Sequence, residues 1–273
     1  MNYKKLVSQL EFEDIGIHTG EISKIVLNPK NVPQVSFVAN NKSFIKPTLE
    51  NVINTDHATS LGNKDTKILT VEHLLATIYC LYITGLEIYV YGKEIPTMDG
   101  SASVFVEKIV PKLEETEHKI NFVTINKPLK ISIEKSLYEV YPSEKFIVCC
   151  KIVTTRSKFL NNKEVSIEIT PENFISQIAL AKTFCLLEDV EKIYAKGLGR
   201  GGSLNNVIII DDDKIVNPEI MRYEDEPIRH KILDFIGDLS LTNFYFKGEF
   251  KIVNPSHHTN IKFCKFLLES ICI

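Results

Sequence analysis

Within Arg229-His230-Lys231-Ile232-Leu233-Asp234-Phe235-Ile236-Gly237-Asp238-Leu239, one histidine and two aspartates recur at intervals of four. On an α-helix that spacing stacks His230, Asp234 and Asp238 along one face, leaving Ile232, Leu233 and Ile236 for the interior. An imidazole and a carboxylate one turn apart form a preset pair of metal ligands, because the helix fixes their separation. A mixed nitrogen and oxygen set suits zinc or iron, whereas calcium and magnesium take mostly oxygen. One helix supplies two ligands, so a third must come from elsewhere.

Glu72-His73 lies at the start of the apolar run Val71 to Leu81. A glutamate in a first helical turn could simply complement the macrodipole. Beside the 230/234 pair a sharper reading opens. His73 completes a three-ligand site that keeps one position for water, the pattern of catalytic rather than structural zinc. Glu72 is then the carboxylate that takes a proton from that water. A non-catalytic binding protein with a structural zinc would instead need four protein ligands.

His257-His258 follows Pro255-Ser256. Either histidine could cap a helix or sit on the surface. Asp238 offers another role, since a carboxylate beside an imidazole orients it and raises its proton affinity. Such an imidazolium could stabilise an oxyanion and protonate a leaving amine. Asp238 could equally be an exposed helix residue paired with a lysine. Gly197-Leu198-Gly199-Arg200-Gly201-Gly202-Ser203 lacks the Gly-Lys-Ser/Thr of a phosphate loop and reads as a flexible connector. His18, His57 and His118 carry no ligand spacing of their own.

The elements that must carry these residues are set by periodicity. Strand-like runs at 23–27, 34–38 and 58–61 precede a helix over 70–82, with Thr70 as N-cap and Gly85 as stop. A strand at 86–91 and a helix over 101–113 come next, with Asp99 or Ser101 as cap. The polar stretch 114–119 marks a boundary between a first unit, 1–118, and a second, 119–273. The second unit carries strands at 121–125, 129–133, 146–153 and 165–169, and Pro171 opens a helix at its first turn. Helices over 187–196, 227–239 and 258–271 and a strand at 244–253 complete it. Both units run from strands to helix, strand, helix. The expected fold class is therefore α+β: two similar domains packed as a two-layer sandwich with helices between the sheets.

Composition narrows the function. The chain has 273 residues, 44% hydrophobic and 25% charged, enough for a sizeable core. A net charge of −3 excludes a general nucleic-acid binder. The N-terminus lacks the apolar run of a signal peptide, and no apolar stretch is long enough to span a membrane. A cytoplasmic location without membrane insertion is expected. None of the six cysteines forms a Cys-x-x-Cys pair, so they read as buried thiols in a reducing compartment.

Six motifs stand in one order: Gly16-Ile17-His18-Thr19-Gly20, Thr70-Val71-Glu72-His73-Leu74-Leu75, Ile95-Pro96-Thr97-Met98-Asp99-Gly100-Ser101, Ala181-Lys182-Thr183-Phe184, the glycine-rich 197–204 segment, and Arg229 to Asp234. Together they closely resemble the LpxC family of bacterial UDP-3-O-acyl-N-acetylglucosamine deacetylases, over essentially the whole chain. That family removes acetate from a UDP-linked, 3-O-acylated amino sugar, the committed step of lipid A synthesis. The resemblance implies zinc or ferrous iron held by His73, His230 and Asp234, with Glu72 as general base. It implies His257 as general acid, Asp238 orienting it, Thr183 donating to the scissile carbonyl and Lys231 meeting the polar head of the substrate. It also implies a small insert in each domain. The second, a β-α-β element near 184–211, forms an apolar passage for the acyl chain, with Phe184, Ile193, Leu198 and Leu204 as lining. A monomer is expected. Two positions depart from the family pattern: Ser256 stands where a glycine usually precedes the acid histidine, and Asn254 where a base is common. A zinc amidohydrolase acting on another acylated substrate is the competing reading.

Overall fold

Alternation sets the sheets. In Ile22–Pro29 and Leu86–Tyr91 every second residue turns inward, burying Ile25, Leu27, Ile88 and Val90. The structure, a computed structural model, describes residues 1–40, 43–63 and 66–271. Its first large sheet runs Leu10–Ile15, Ile22–Pro29, Leu86–Tyr91, Val35–Ala39, Ser43–Ile45. The second runs Leu129–Ile133, Ser136–Tyr141, Tyr245–Val253, Phe146–Ile152, Lys163–Glu168. The plan repeats: in each, a central strand lies between one antiparallel and one parallel neighbour, and in the second Phe122–Thr124 also pairs in parallel with the start of that strand. Each sheet turns a charged face to solvent, with pairs such as Lys24–Glu11 and Lys130–Glu139. The α+β class expected from the order of elements holds.

The principal helices are α1 (Glu72–Cys80), α2 (Ser103–Ile109), α3 (Leu187–Ala195), α4 (Glu226–Ser240) and α5 (His257–Ser270). α1 packs on α4, and α4 packs on α5 and on Phe146–Ile152. Leu74, Leu75 and Ile78 of α1 and Ile232, Leu233, Phe235, Ile236 and Leu239 of α4 are buried in one continuous core. Each such side chain stabilises the fold by roughly 1.5–3 kcal/mol. Gly237 sets the closest approach, because a Cβ there would lie 2.2 Å from the carbonyl oxygen of Glu72. A three-stranded sheet, Val52–Asn54, Ser60–Gly62 and Lys67–Ile68, branches off before α1. A second one, Phe184–Leu186, Ile208–Asp211 and Lys214–Ile215, is crossed by α3.

Several local expectations are corrected. Leu113–Lys119 is a strand, paired with Asn2–Leu6; a ribbon solvated along most of its length leaves no apolar alternation to read. Ser136–Tyr141 was hidden by its turn, where Glu134 adopts φ 56° without a glycine or asparagine signature. Thr70 does not cap α1: its hydroxyl donates instead to the buried carboxylate of Glu94, and Val71 takes the cap position without a side-chain bond. Neither Asp99 nor Ser101 occupies the cap of α2, which falls on Ala102; Asp99 accepts from the amide and hydroxyl of Ser101 and the hydroxyl of Ser103. The 197–203 connector is docked, its Arg200 and Gly201 amides donating to His18 and Ile17 carbonyls. Five cysteines are free thiols, and Cys272 lies outside the described residues.

Candidate metal centre

α1 and α4 meet so that His73 faces His230 and Asp234. The His73 Nε2 lies 3.5 Å from Asp234 Oδ1, and the His230 Nε2 lies 3.3 Å from the same oxygen. The two imidazoles stand nearly perpendicular, with ring centres 5.0 Å apart. Ligands bound tetrahedrally at about 2.1 Å lie about 3.4 Å from one another, so these separations match the edges of such a site. Asp234 Oδ1 is buried without a hydrogen-bond partner, while Oδ2 accepts from Lys231 Nζ at 2.9 Å. A buried carboxylate oxygen left free beside two imidazole nitrogens is what a divalent cation would satisfy. The Nδ1 of His230 lies 3.4 Å from the Ala181 carbonyl, which selects the tautomer that leaves Nε2 as the donor atom. Burial holds the His230 imidazole down at about 3, so it is neutral and competent as a ligand. Burial works against the Asp234 anion, yet the positive charges of Lys231 and His257 hold its carboxyl well below the usual range.

Glu72 and His257 flank this cluster. Ser256 caps α5 through a reciprocal pair with Thr259, and this fixes His257 at the first helical position. Its Nδ1 pairs with Asp238 Oδ2 at 2.9 Å, and its Nε2 lies 3.6 Å from Glu72 Oε1. Asp238 is fully buried, not exposed, and also accepts from Asn260 Nδ2 at 2.8 Å and Thr59 Oγ1 at 2.5 Å. Burial would lower the His257 imidazole, but Asp238, Glu72 and Asp234 outweigh it and lift the group to about 10. Burial pushes the Glu72 carboxyl up to about 7, against the pull of His257 and His73. His258 points elsewhere, to Glu134 and Thr55 on the surface. Of the two adjacent histidines, only His257 faces the cluster.

A cleft of about 410 Å³ opens over these groups, bordered by Thr183, Phe184 and Lys231. The amide of Thr183 donates to Gly100 and its carbonyl accepts from Ile208, which pins the strand beside the cleft. Lys231 Nζ lies 5.4 Å from the centre of the Phe184 ring. A second, more apolar cavity of about 320 Å³ adjoins it, between the 184–216 insert and Ile17, His18 and His57. Phe184, Ile193 and Leu204 line that cavity with Val190, Val207 and Ile209; Leu198 does not. Asn254 turns away from the cleft, its Oδ1 accepting from the Val153 amide.

Sequence reasoning missed Thr59, which reads as one more residue of a short strand, and set aside His18 and His57, which border both cavities. It also missed Glu94. This buried carboxylate accepts from the His18 amide, from the amide and hydroxyl of Thr19 and from the Thr70 hydroxyl, joining the 16–20 loop to the approach to α1. Glu94 follows Gly92-Lys93 at the end of the Leu86–Tyr91 strand, where a charged pair reads as an ordinary solvated turn, so the sequence carries no signal for its burial.

Known proteins share this chain's pattern. A family profile described as LpxC, UDP-3-O-acyl N-acetylglycosamine deacetylase, matches residues 4–269. The chain is 37% identical over 268 residues to the UDP-3-O-acyl-N-acetylglucosamine deacetylase of Aquifex aeolicus, covering 97% of this chain and 92% of that one. It is 35% identical to the enzyme of the same name from Campylobacter fetus, over 98% of this chain and 92% of that one. It is 32% identical to that from Chlamydia pneumoniae, over 98% and 97%.

Proposed function

The chain belongs to the LpxC family of UDP-3-O-acyl N-acetylglycosamine deacetylases, and from that premise we propose which of its residues carry out each part of the reaction. The enzyme is a metal-dependent amidohydrolase of lipid A synthesis. It hydrolyses the N-acetyl group of a UDP-3-O-acyl-N-acetylglucosamine, releasing acetate and the free amine. His73, His230 and Asp234 would hold the metal, zinc or ferrous iron. When bound, that ion supplies a Lewis acid for the acetyl carbonyl and lowers the pKa of water.

The chain's own groups do the rest. Glu72, ionised, takes a proton from the attacking water. The Thr183 hydroxyl donates to the carbonyl oxygen as negative charge gathers on it. His257, kept protonated by Asp238, gives its proton to the departing nitrogen, so acetate and amine leave with their protons accounted for. Lys231 meets the anionic head of the substrate, and its grip on Asp234 Oδ2 ties that contact to the metal ligand. The acyl chain lies in the apolar cavity lined by Phe184, Ile193 and Leu204. We assign residues 1–118 and 119–273 to the two halves that meet at this site. A monomer in the cytoplasm completes the reading; no described helix is long and apolar enough to cross a membrane.

The observation that carries the reading is Asp234 Oδ1, buried and unpaired between two imidazole nitrogens, with a carboxylate and an imidazolium 3.6 Å apart beside it. The test is acetate release from UDP-3-O-acyl-N-acetylglucosamine bearing acyl chains of several lengths, with chelator and with zinc restored. Turnover that survives complete metal removal refutes it. Equal turnover of long-chain and unacylated substrates would refute the assignment of the apolar cavity to the acyl chain.

A further inference from the structure

Thr59 is fully buried just ahead of the Ser60–Gly62 strand, and every polar group it owns is spent on the site. Its hydroxyl donates to Asp238 Oδ1 at 2.5 Å. Its amide donates to Glu72 Oε2 at 3.1 Å. Its carbonyl accepts from the Val71 amide, next to Glu72. Two other buried threonines spend their hydroxyls locally: those of Thr77 and Thr242 go to carbonyls four and three residues back, at His73 and Leu239. The Thr59 hydroxyl reaches a charged oxygen 179 positions away.

Asp238 holds His257 and Asn260 through its other oxygen, Oδ2. Without the Thr59 hydroxyl, Oδ1 loses its side-chain donor and the carboxylate is free to turn about its Cβ–Cγ bond. The grip on His257 Nδ1 then loosens, and Nε2 loses its set position 3.6 Å from Glu72. Reactions that depend on two aligned proton carriers respond steeply to such loss of alignment. Thr59 does not border the cleft, so substrate binding has no direct stake in it.

We propose that Thr59 is a positioning residue for the deacetylation: one side chain and its amide, on the first half of the fold, align the base Glu72 and, through Asp238, the acid His257. This rests on the base and acid roles proposed for those two residues. Thr59→Val removes the hydroxyl at nearly constant shape and keeps both backbone bonds. In the full-length, zinc-loaded enzyme it lowers kcat roughly tenfold to a hundredfold, as expected for one hydrogen bond to a charged group. KM for the UDP-acyl sugar stays within about twofold and the zinc content is unchanged. Thr59→Ser restores the hydroxyl and most of kcat. In an Asp238→Ala background Thr59→Val costs little more, because its route of action is already gone.

Three results overturn the proposal: a Thr59→Val enzyme with wild-type kcat, a Thr59→Ser enzyme as slow as Thr59→Val, or a loss from Thr59→Val that is undiminished beside Asp238→Ala. Should the valine variant not fold, Thr59→Cys keeps the volume with a weak donor and carries the same expectation. Glu72→Gln and His257→Gln run alongside. If either retains turnover, the acid and base assignment itself fails. If both are inactive and Thr59→Val is not slowed, the positioning role alone fails.

Discussion

Replacing Asp238 with asparagine removes a charge and almost nothing else. The carboxylate is buried beneath three donors, with Thr59 on one oxygen and His257 and Asn260 on the other. An asparagine can keep its carbonyl toward His257 and Asn260 and turn its NH₂ toward the Thr59 oxygen, which can rotate to accept. The imidazole of His257 feels burial first, which lowers it, and then the lift from Asp238, Glu72 and Asp234 that carries it to about 10. The carboxylate of Asp238 is the largest of the lifting charges. An opposite charge at hydrogen-bond range moves a pKa by roughly one to three, about 1.4–4 kcal/mol. The sign is fixed by the role. The acid works protonated, so activity is present below its pKa and is lost as pH rises through it. In kcat/KM against pH, the alkaline limb of Asp238→Asn should therefore fall roughly one to three pH units earlier than in the wild type. A cation on Asp234 repels the imidazolium and shifts both enzymes downward together, so the comparison is between variants, each zinc-loaded. Acetate release across the alkaline range reads it. Superimposable alkaline limbs would refute the claim that Asp238 sustains the protonated His257.

Glu72→Gln should lower turnover by roughly 10²- to 10⁴-fold while one equivalent of zinc remains by metal analysis. In the wild type, Glu72 acts ionised and burial raises its carboxyl to about 7, so kcat/KM climbs with pH on the acid side. A bound cation favours the carboxylate and places that limb lower still. Gly237→Ala forces a methyl to within 2.2 Å of the Glu72 carbonyl and must part α1 from α4. Such overpacking costs about 1–3 kcal/mol, which calorimetry should record as a lower Tm, together with a loss of kcat. Ile193→Trp fills the apolar cavity. It should reduce kcat/KM for long-acyl substrates at least about tenfold relative to short ones, since each methylene excluded from such a pocket is worth roughly 1–3 kcal/mol.

How far these features could be read in advance depended on how local each signal was. His230 and Asp234 announce themselves because four residues on a helix fix two side chains on one face, whatever else the chain does. Glu72 and His73 stand out as polar residues at the head of an apolar helix. Each half-site is thus legible, but the distance between them depends on how closely α1 and α4 approach, and Gly237 carries no mark in the sequence beyond its being a glycine. Residue types alone do not separate His257 from His258; the resemblance singles out His257, and the fold supplies the physical reason, Ser256 capping α5 so that one ring turns inward and the other to Glu134. The least legible contacts are the longest: Thr59 to Asp238, and Glu94 to the 16–20 loop, join residues with no shared periodicity. The Asn2–Leu6 ribbon escaped for the opposite reason, since a strand with little to bury shows no pattern.

The charges explain why this site must be assembled from several elements. Glu72, Asp234 and Asp238 are each at most 3% exposed, and the cations facing them are Lys231 and the imidazolium of His257. Three negative charges against two positive leave the cluster one charge short before a divalent ion is counted. Buried charge without compensation is expensive, and carboxylates so placed tend to take up protons. The elevation of Glu72 is that tendency in this cluster. A divalent cation on His73, His230 and Asp234 reverses the balance to one positive charge, so that Glu72 can stay ionised beside a protonated His257. An ion held there would favour ionised Glu72, the proposed base, and Asp238 is then what keeps His257, the proposed acid, protonated against the ion's repulsion. No single helix could do this, because the acid, the base and the ligands must be held apart by a few ångströms and still share one field. α1 brings Glu72 and His73, α4 brings His230, Asp234 and Asp238, and α5 brings His257; their packing is as much a part of the chemistry as the side chains are.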